Sequence, residues 1–310
     1  MALPGISPIR IPDDFTVWVA SDLHGQLAAV DRLLAAAGLS DGGDHWVAPR
    51  RTALVVTGDM VDRGADSIGL VQRLVSLRDQ APSRDGLVVL LEGNHEIQVL
   101  GGLHGEPTIF EVMMTFGGGA TLLSAGLRPD EWDGRPPVEI AARVDALAPD
   151  LRPSMWTFAP YATWGDVLFV HAGPVPDMDL DAFESGAERL WIRESFFASA
   201  DPFPFADAWV PYREAGMARV VFGHTSVTEP TLSHGGRALN VDTWRGQRVT
   251  LARLEPAREL SEARFIWEPS EPRAIADAPV TPEEIRRIDA LMPGVVRSWW
   301  QSLGEPRSTR

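Results

Sequence analysis

Five short apolar runs in this 310-residue chain each break off into residues that bind metals or move protons. FTVWVAS leads into Asp22, His24 and Gly25; TALVVTGD into Asp59, Asp62 and Arg63; LVVLLEGN into Asn94, His95 and Glu96; DVLFVHAG ends at His171, and ARVVFGHT at His224. Continuous apolar runs of this length suit strands covered on both faces, which confines the chain to a layered sheet protein. Helical patterns lie between the first runs. LAAVDRLLAAAGLS places Leu27, Val30, Leu33 and Leu34 at helical spacing before Gly38, and Asp66 or Ser67 can cap IGLVQRLVSLRD. The expected class is therefore α/β, with ligands collecting where strands end.

The segment from about 101 to 160 mixes glycines, prolines and short helical pieces and is expected to form a helical insertion in a catalytic domain spanning 12–255. Residues 256–310 are expected to form a C-terminal helical extension. Within it Thr281 and Glu284 make a capping box, Pro282 takes the first helical position, Pro293 and Gly294 kink or break the helix, and the tail GEPRSTR frays.

The polar residues at the strand ends define the chemistry. In an extended segment Asp22 and His24, two apart, would point to one side. Asp22, His24 and Asp59 can hold one ion, and Asp59, Asn94, His171 and His224 a second. Imidazole, carboxylate and amide oxygen without sulfur suit manganese, iron, zinc or cobalt better than magnesium or calcium. Two divalent ions sharing Asp59 would present a bridging hydroxide to phosphorus. His95, held protonated by Asp62, can serve as a general acid, and Arg63 can grip phosphate oxygens. A second phosphate-binding arginine is expected at Arg193, with Arg189 the alternative.

Composition narrows the partners. The formal net charge of −15 argues against nucleic acid and anionic membrane, both of which need a basic surface. The chain has no cysteine, so there is no disulfide framework and no thiolate ligand. No leader-like or membrane-spanning run is present, making a cytoplasmic protein the default expectation. Oligomeric state stays open, because the helix carrying Trp299 and Trp300 could pack on its own domain or on a partner.

SDLHG, GDMVDRG, GNHE, VHAG and FGHT closely resemble the calcineurin-like metallophosphoesterases, and within them the phosphoprotein phosphatases that act on phosphoserine and phosphothreonine. FGGGATLLSAG, LWIRESFF and ALNVDTW resemble the bacterial branch. The resemblance covers about Phe15 to Glu255 and implies a two-sheet β-sandwich flanked by helices. It implies metals, manganese first, on Asp22, His24, Asp59, Asn94, His171 and His224, His95 and Asp62 as the acid pair, and phosphate or substrate contacts from Arg63, Arg193 and Asn94. Ser21 stands where the family normally has Gly. The expected function is a metal-dependent phosphomonoesterase, most simply a serine/threonine protein phosphatase working by in-line attack of the bridging hydroxide on a phosphorylated protein or small phosphoester. The alternative is a symmetrical diadenosine tetraphosphate hydrolase or another nucleotide phosphoesterase, in which Asn is usual at the place of Asp62. A metal-binding interaction module without activity is a minor alternative.

Overall fold

The computed structural model describes residues 7–175, 178, 186–193, 212, 214–274 and 280–303, and the tail from 304 lies outside them. Two mixed sheets face each other, with helices flanking the stack. The first sheet is built on β2 (Thr16–Ala20), β3 (Thr52–Val56) and β4 (Gly86–Leu90), which are mutually parallel. β10 (Arg248–Leu254) pairs antiparallel with β2, and β11 (Arg264–Pro269) antiparallel with β10, giving the order β11-β10-β2-β3-β4. The second sheet runs β1 (Ile9–Ile11), β5 (Ala162–Trp164), β6 (Val167–Phe169), β7 (Arg219–Phe222), β9 (Ala238–Asn240) and β8 (Thr231–Ser233).

The unbroken apolar runs follow from this layering. Along β3, Ala53 and Val55 turn towards the second sheet, joining Val17, Val19, Phe169, Val221 and Leu239, while Leu54 and Val56 join the core beneath the helices. With both faces covered, a strand has no solvent side on which to place polar residues. That core receives α1 (Leu27–Ala36) and α2 (Ser67–Gln80), and the Asp66 side chain caps α2 by accepting from Gly69 N. α3 (Asn94–Leu103), α4 (Pro107–Thr115), α5 (Gly119–Ser124), α6 (Pro137–Leu147) and α7 (Leu151–Met155) make the stretch after β4 mainly helical as far as Met155.

Two expectations need correction. Residues beyond 255 are not purely helical, because β11 closes a hairpin with β10 and extends the first sheet. The alternation RFIWEP, with only Ile266 and Glu268 half-buried, is an edge-strand pattern too weak to read without its partner. Nor does Pro293 end its helix: α8 spans Pro282–Leu303. Thr281 and Glu284 cap it reciprocally, the Glu284 carboxylate accepting from Thr281 N at 2.7 Å and the Thr281 hydroxyl from Glu284 N at 3.2 Å. An interior proline costs about 3 kcal/mol. Met292, Val296, Trp299 and Trp300 bury one face on both sides of it, each contributing about 1.5–3 kcal/mol, so packing overrides the local penalty. The tryptophan pair thus packs on its own chain, Trp299 tilted against Trp156 with ring centroids 5.9 Å apart and the Arg189 guanidinium 5.8 Å from the Trp300 ring. Among the described residues no helix is long and apolar enough to cross a membrane.

Candidate active site

β2, β3 and β4 are parallel, as are β6 and β7, so the loops after their carboxyl ends gather at one edge of the stack. Asp22, Asp59, Arg63, Asn94, His95, Arg193 and His224 line one cavity of about 490 Å³ there.

Asp22 and His24 converge, though not by extended geometry. Both adopt left-handed backbone, with φ of 53° and 38°, as do Asp59, Asp62, Arg63 and His224. Conformations that cost about 1–3 kcal/mol each persist only where the surroundings hold them, and here they cluster at the site. Gly58 and Gly93 allow the loops to meet: a Cβ on Gly58 would come within 2.7 Å of the Gly93 backbone and 2.8 Å of His171 Nδ1. His24 Nε2 lies 4.0 Å from Asp22 Oδ1 and 3.9 Å from Asp59 Oδ2, and His171 Nε2 lies 3.5 Å from Asp59 Oδ1. Asp59 therefore stands between two groups of donors, one with His24 and His95 and one with His171 and His224.

The imidazoles are oriented from behind. His24 Nδ1 lies 2.8 Å from Val61 O and His171 Nδ1 2.9 Å from Thr57 O, so each Nδ1 donates to a backbone carbonyl and each Nε2 faces the cavity. His171 Nε2 lies 2.8 Å from Asn94 Oδ1, and the same oxygen lies 2.9 Å from His224 Nδ1, so two imidazole nitrogens and an amide oxygen converge on one point. Burial pushes the Asp22 carboxyl well above the usual carboxylate range, with Asp242 and Asp59 adding to it, and burial then Glu96 does the same to Asp59. Burial, then Arg63, holds His24 well below the usual imidazole range; burial, then Arg193, holds His224 there too. Imidazoles beside buried carboxyl groups form a donor set that fits divalent metal ions.

His95 Nδ1 lies 2.7 Å from Asp62 Oδ2, and the Thr121 hydroxyl at 2.5 Å fixes the other Asp62 oxygen. In the metal-free chain, burial, then Arg63 and neighbouring imidazoles, push His95 well below its ordinary value. Arg63 Nη1 rests 2.5 Å from His24 Nε2. Arg193 donates from Nε to Asp289 Oδ2 on α8 at 2.8 Å and from Nη1 to His224 O at 2.8 Å. Arg189, by contrast, is fully buried in an ion pair with Glu92, away from the cavity.

The sequence reading noted Glu96 at a strand end but gave it no role. Its carboxylate accepts from Asp59 N at 2.8 Å, Met60 N at 2.7 Å, Val61 N at 3.3 Å and Gly93 N at 2.8 Å, stitching the loops after β3 and β4 together. The sequence reading missed Asp242, a buried carboxylate that accepts from Ser226 Oγ at 2.7 Å and Trp244 N at 3.0 Å. Glu96 stands in the quoted GNHE run, where a second acidic residue beside a ligand was the available signal. Asp242 had none beyond its place after an apolar run.

The profile of the calcineurin-like phosphoesterases matches residues 15–228. Shewanella-like protein phosphatase 2 of Arabidopsis thaliana is 29% identical over 192 residues, 54% of this chain and 48% of that protein. The symmetrical bis(5'-nucleosyl)-tetraphosphatase of Acidovorax sp. (strain JS42) is 29% identical over 160 residues, 52% of this chain and 44% of that protein. The chain thus spans about half the length of these curated relatives. A mutant of a cold-active protein tyrosine phosphatase shares the fold, with a TM-score of 0.61 and 21% identity over 87% of this chain and 84% of that one. The chain belongs to the calcineurin-like phosphoesterases, phosphoester hydrolases that work through two metal ions, and it carries His and Asp groups able to hold them.

Proposed function

We propose that this calcineurin-like phosphoesterase is a phosphomonoesterase acting on phosphoserine or phosphothreonine in proteins. Asp22, His24 and Asp59 would hold one divalent ion, manganese first, and Asp59, Asn94, His171 and His224 the other. Bound there, the ions would supply an acidified water and positive charge for the phosphoryl oxygens. Arg63 and Arg193 would grip those oxygens and hold the ester in line. As the new bond from water oxygen to phosphorus forms and the ester bond breaks, His95 would pass its proton to the departing alkoxide. The phosphoryl dianion beside His95 opposes the effect of burial on its charge, and Asp62 orients the ring.

The observation that carries this reading is the contact of 2.7 Å between His95 and Asp62 at the cavity. A serine alkoxide is a poor leaving group and needs a proton, whereas the leaving phosphate of an anhydride does not. Cleavage of diadenosine tetraphosphate is the second reading, favoured by the Acidovorax relative. Chelator-stripped protein, with and without added Mn²⁺, is to be assayed on a phosphoserine peptide and on diadenosine tetraphosphate. Metal-dependent release mainly from the peptide supports the proposal, and preferential cleavage of the dinucleotide overturns it.

A further inference from the structure

The same cavity carries two arginines on its rim that the proposed chemistry does not use, Arg245 and Arg273, both exposed. Each stands on backbone tied to the site. Arg245 lies in the short turn Trp244–Gly246, anchored where Trp244 N donates to Asp242 Oδ1 at 3.0 Å. Arg273 lies between two clamps: fully buried Gln26, two residues past His24, donates to Glu271 O at 3.2 Å and accepts from Glu271 N at 2.5 Å, and Ala274 N donates to Arg63 O at 2.8 Å. The Arg273 guanidinium sits 5.5 Å from the Trp244 ring, which meets His24 edge-on at 5.1 Å. Another part of the lining is apolar and comes from Phe116, Ile285 and Ile288.

We infer that Arg245 and Arg273 form a second anion subsite, which selects phosphopeptides carrying an acidic residue beside the phosphorylated one. The inference rests on the protein phosphatase reading above. On a chain of net charge −15, an acidic peptide is repelled by most of the surface and drawn to a local basic rim. Arg63 and Arg193 lie deeper and are committed to the phosphoryl group, so a further negative charge on the substrate meets the rim pair. The inner phosphates of a dinucleoside polyphosphate share this chemistry and are the other source of such a charge.

The test compares kcat/KM for phosphoserine peptides of one length with an acidic, neutral or basic residue beside the phosphoserine. It uses the parent, Arg245→Gln, Arg273→Gln and the double variant, with Arg245→Lys and Arg273→Lys as conservative controls and thermal melts to establish folding. The parent should prefer the acidic over the neutral peptide by about tenfold at low salt, and the preference should fade at high salt. The double variant should bring the ratio close to one, with the lysine variants in between. An equal ratio in parent and double variant overturns the subsite while leaving phosphatase activity standing. Failure on every peptide, with diadenosine tetraphosphate cleavage lowered in the double variant, overturns both the peptide subsite and the function it rests on.

Discussion

His95 Nδ1 lies 2.7 Å from Asp62 Oδ2, with both side chains shut away from solvent. The bond leaves the other ring nitrogen turned to the donor cluster around Asp59, where the two Nε2 and carboxylate atoms stand 3.8 Å apart. A ring so placed can deliver a proton where the phosphoryl group would sit.

Substitution of His95 by Asn should therefore lower kcat for an alkyl phosphate by about 10²–10⁴, and far less for nitrophenyl phosphate, whose leaving group needs no proton. Steady-state kinetics on the two substrates check this. Equal losses would remove His95 from the acid role.

Arg193 is held through Nε by Asp289, and no described residue hydrogen-bonds its Nη2. Asp289→Asn should raise KM for phosphoesters and weaken inhibition by inorganic phosphate about fivefold, with kcat moving less, because the pair is partly solvated. A lower KM would mean that Asp289 restrains Arg193 by neutralising it.

Glu96 binds four backbone N–H groups with one carboxylate. Glu96→Gln replaces one acceptor by a donor facing those N–H groups, which should cost about 2–4 kcal/mol in urea unfolding. Metal affinity should fall with it, because the strained Asp59 loop loses its anchor. Unchanged unfolding would show that the loops hold without this carboxylate.

The titration of the site gives metal binding a pH dependence. The Asp22 and Asp59 carboxyls are raised in the folded chain, so metal-free protein loses stability as pH rises from about 4 through their folded values. His24, His95 and His224 are lowered, so it also loses stability as pH falls below about 6.5. Metal ligands must be deprotonated, so the melting shift produced by Mn²⁺ should be larger at about pH 8 than at about pH 5.5. Equal shifts in differential scanning fluorimetry would contradict this.

The strands that carry the site were legible because each apolar run is followed by an ionisable residue; β2, β3 and β4 all follow that rule, although Thr16 and Trp18 of β2 are only half-buried. β1, β5 and β8 are three residues long, and no periodicity shows in so short a stretch, whereas β6, equally short, was legible because it lies in the apolar run DVLFVHAG that ends at His171. The convergence of Asp22 on His24 was legible as proximity in sequence but not as conformation, since non-glycine residues with positive φ are set by tertiary contacts. Arg193 could be read only as one of two arginines, because what separates it from Arg189 is the burial of Arg189 against Glu92, a partner 97 positions away.

The central claim is that Asp59 joins two ions in one site. Electron paramagnetic resonance of the metal-free chain titrated with Mn²⁺ tests it most directly. Two ions per chain with an exchange-coupled spectrum, converted to a weak or isolated signal by Asp59→Ala, is the predicted result. Binding of a single ion, or of two that show no coupling in the parent protein, would contradict it.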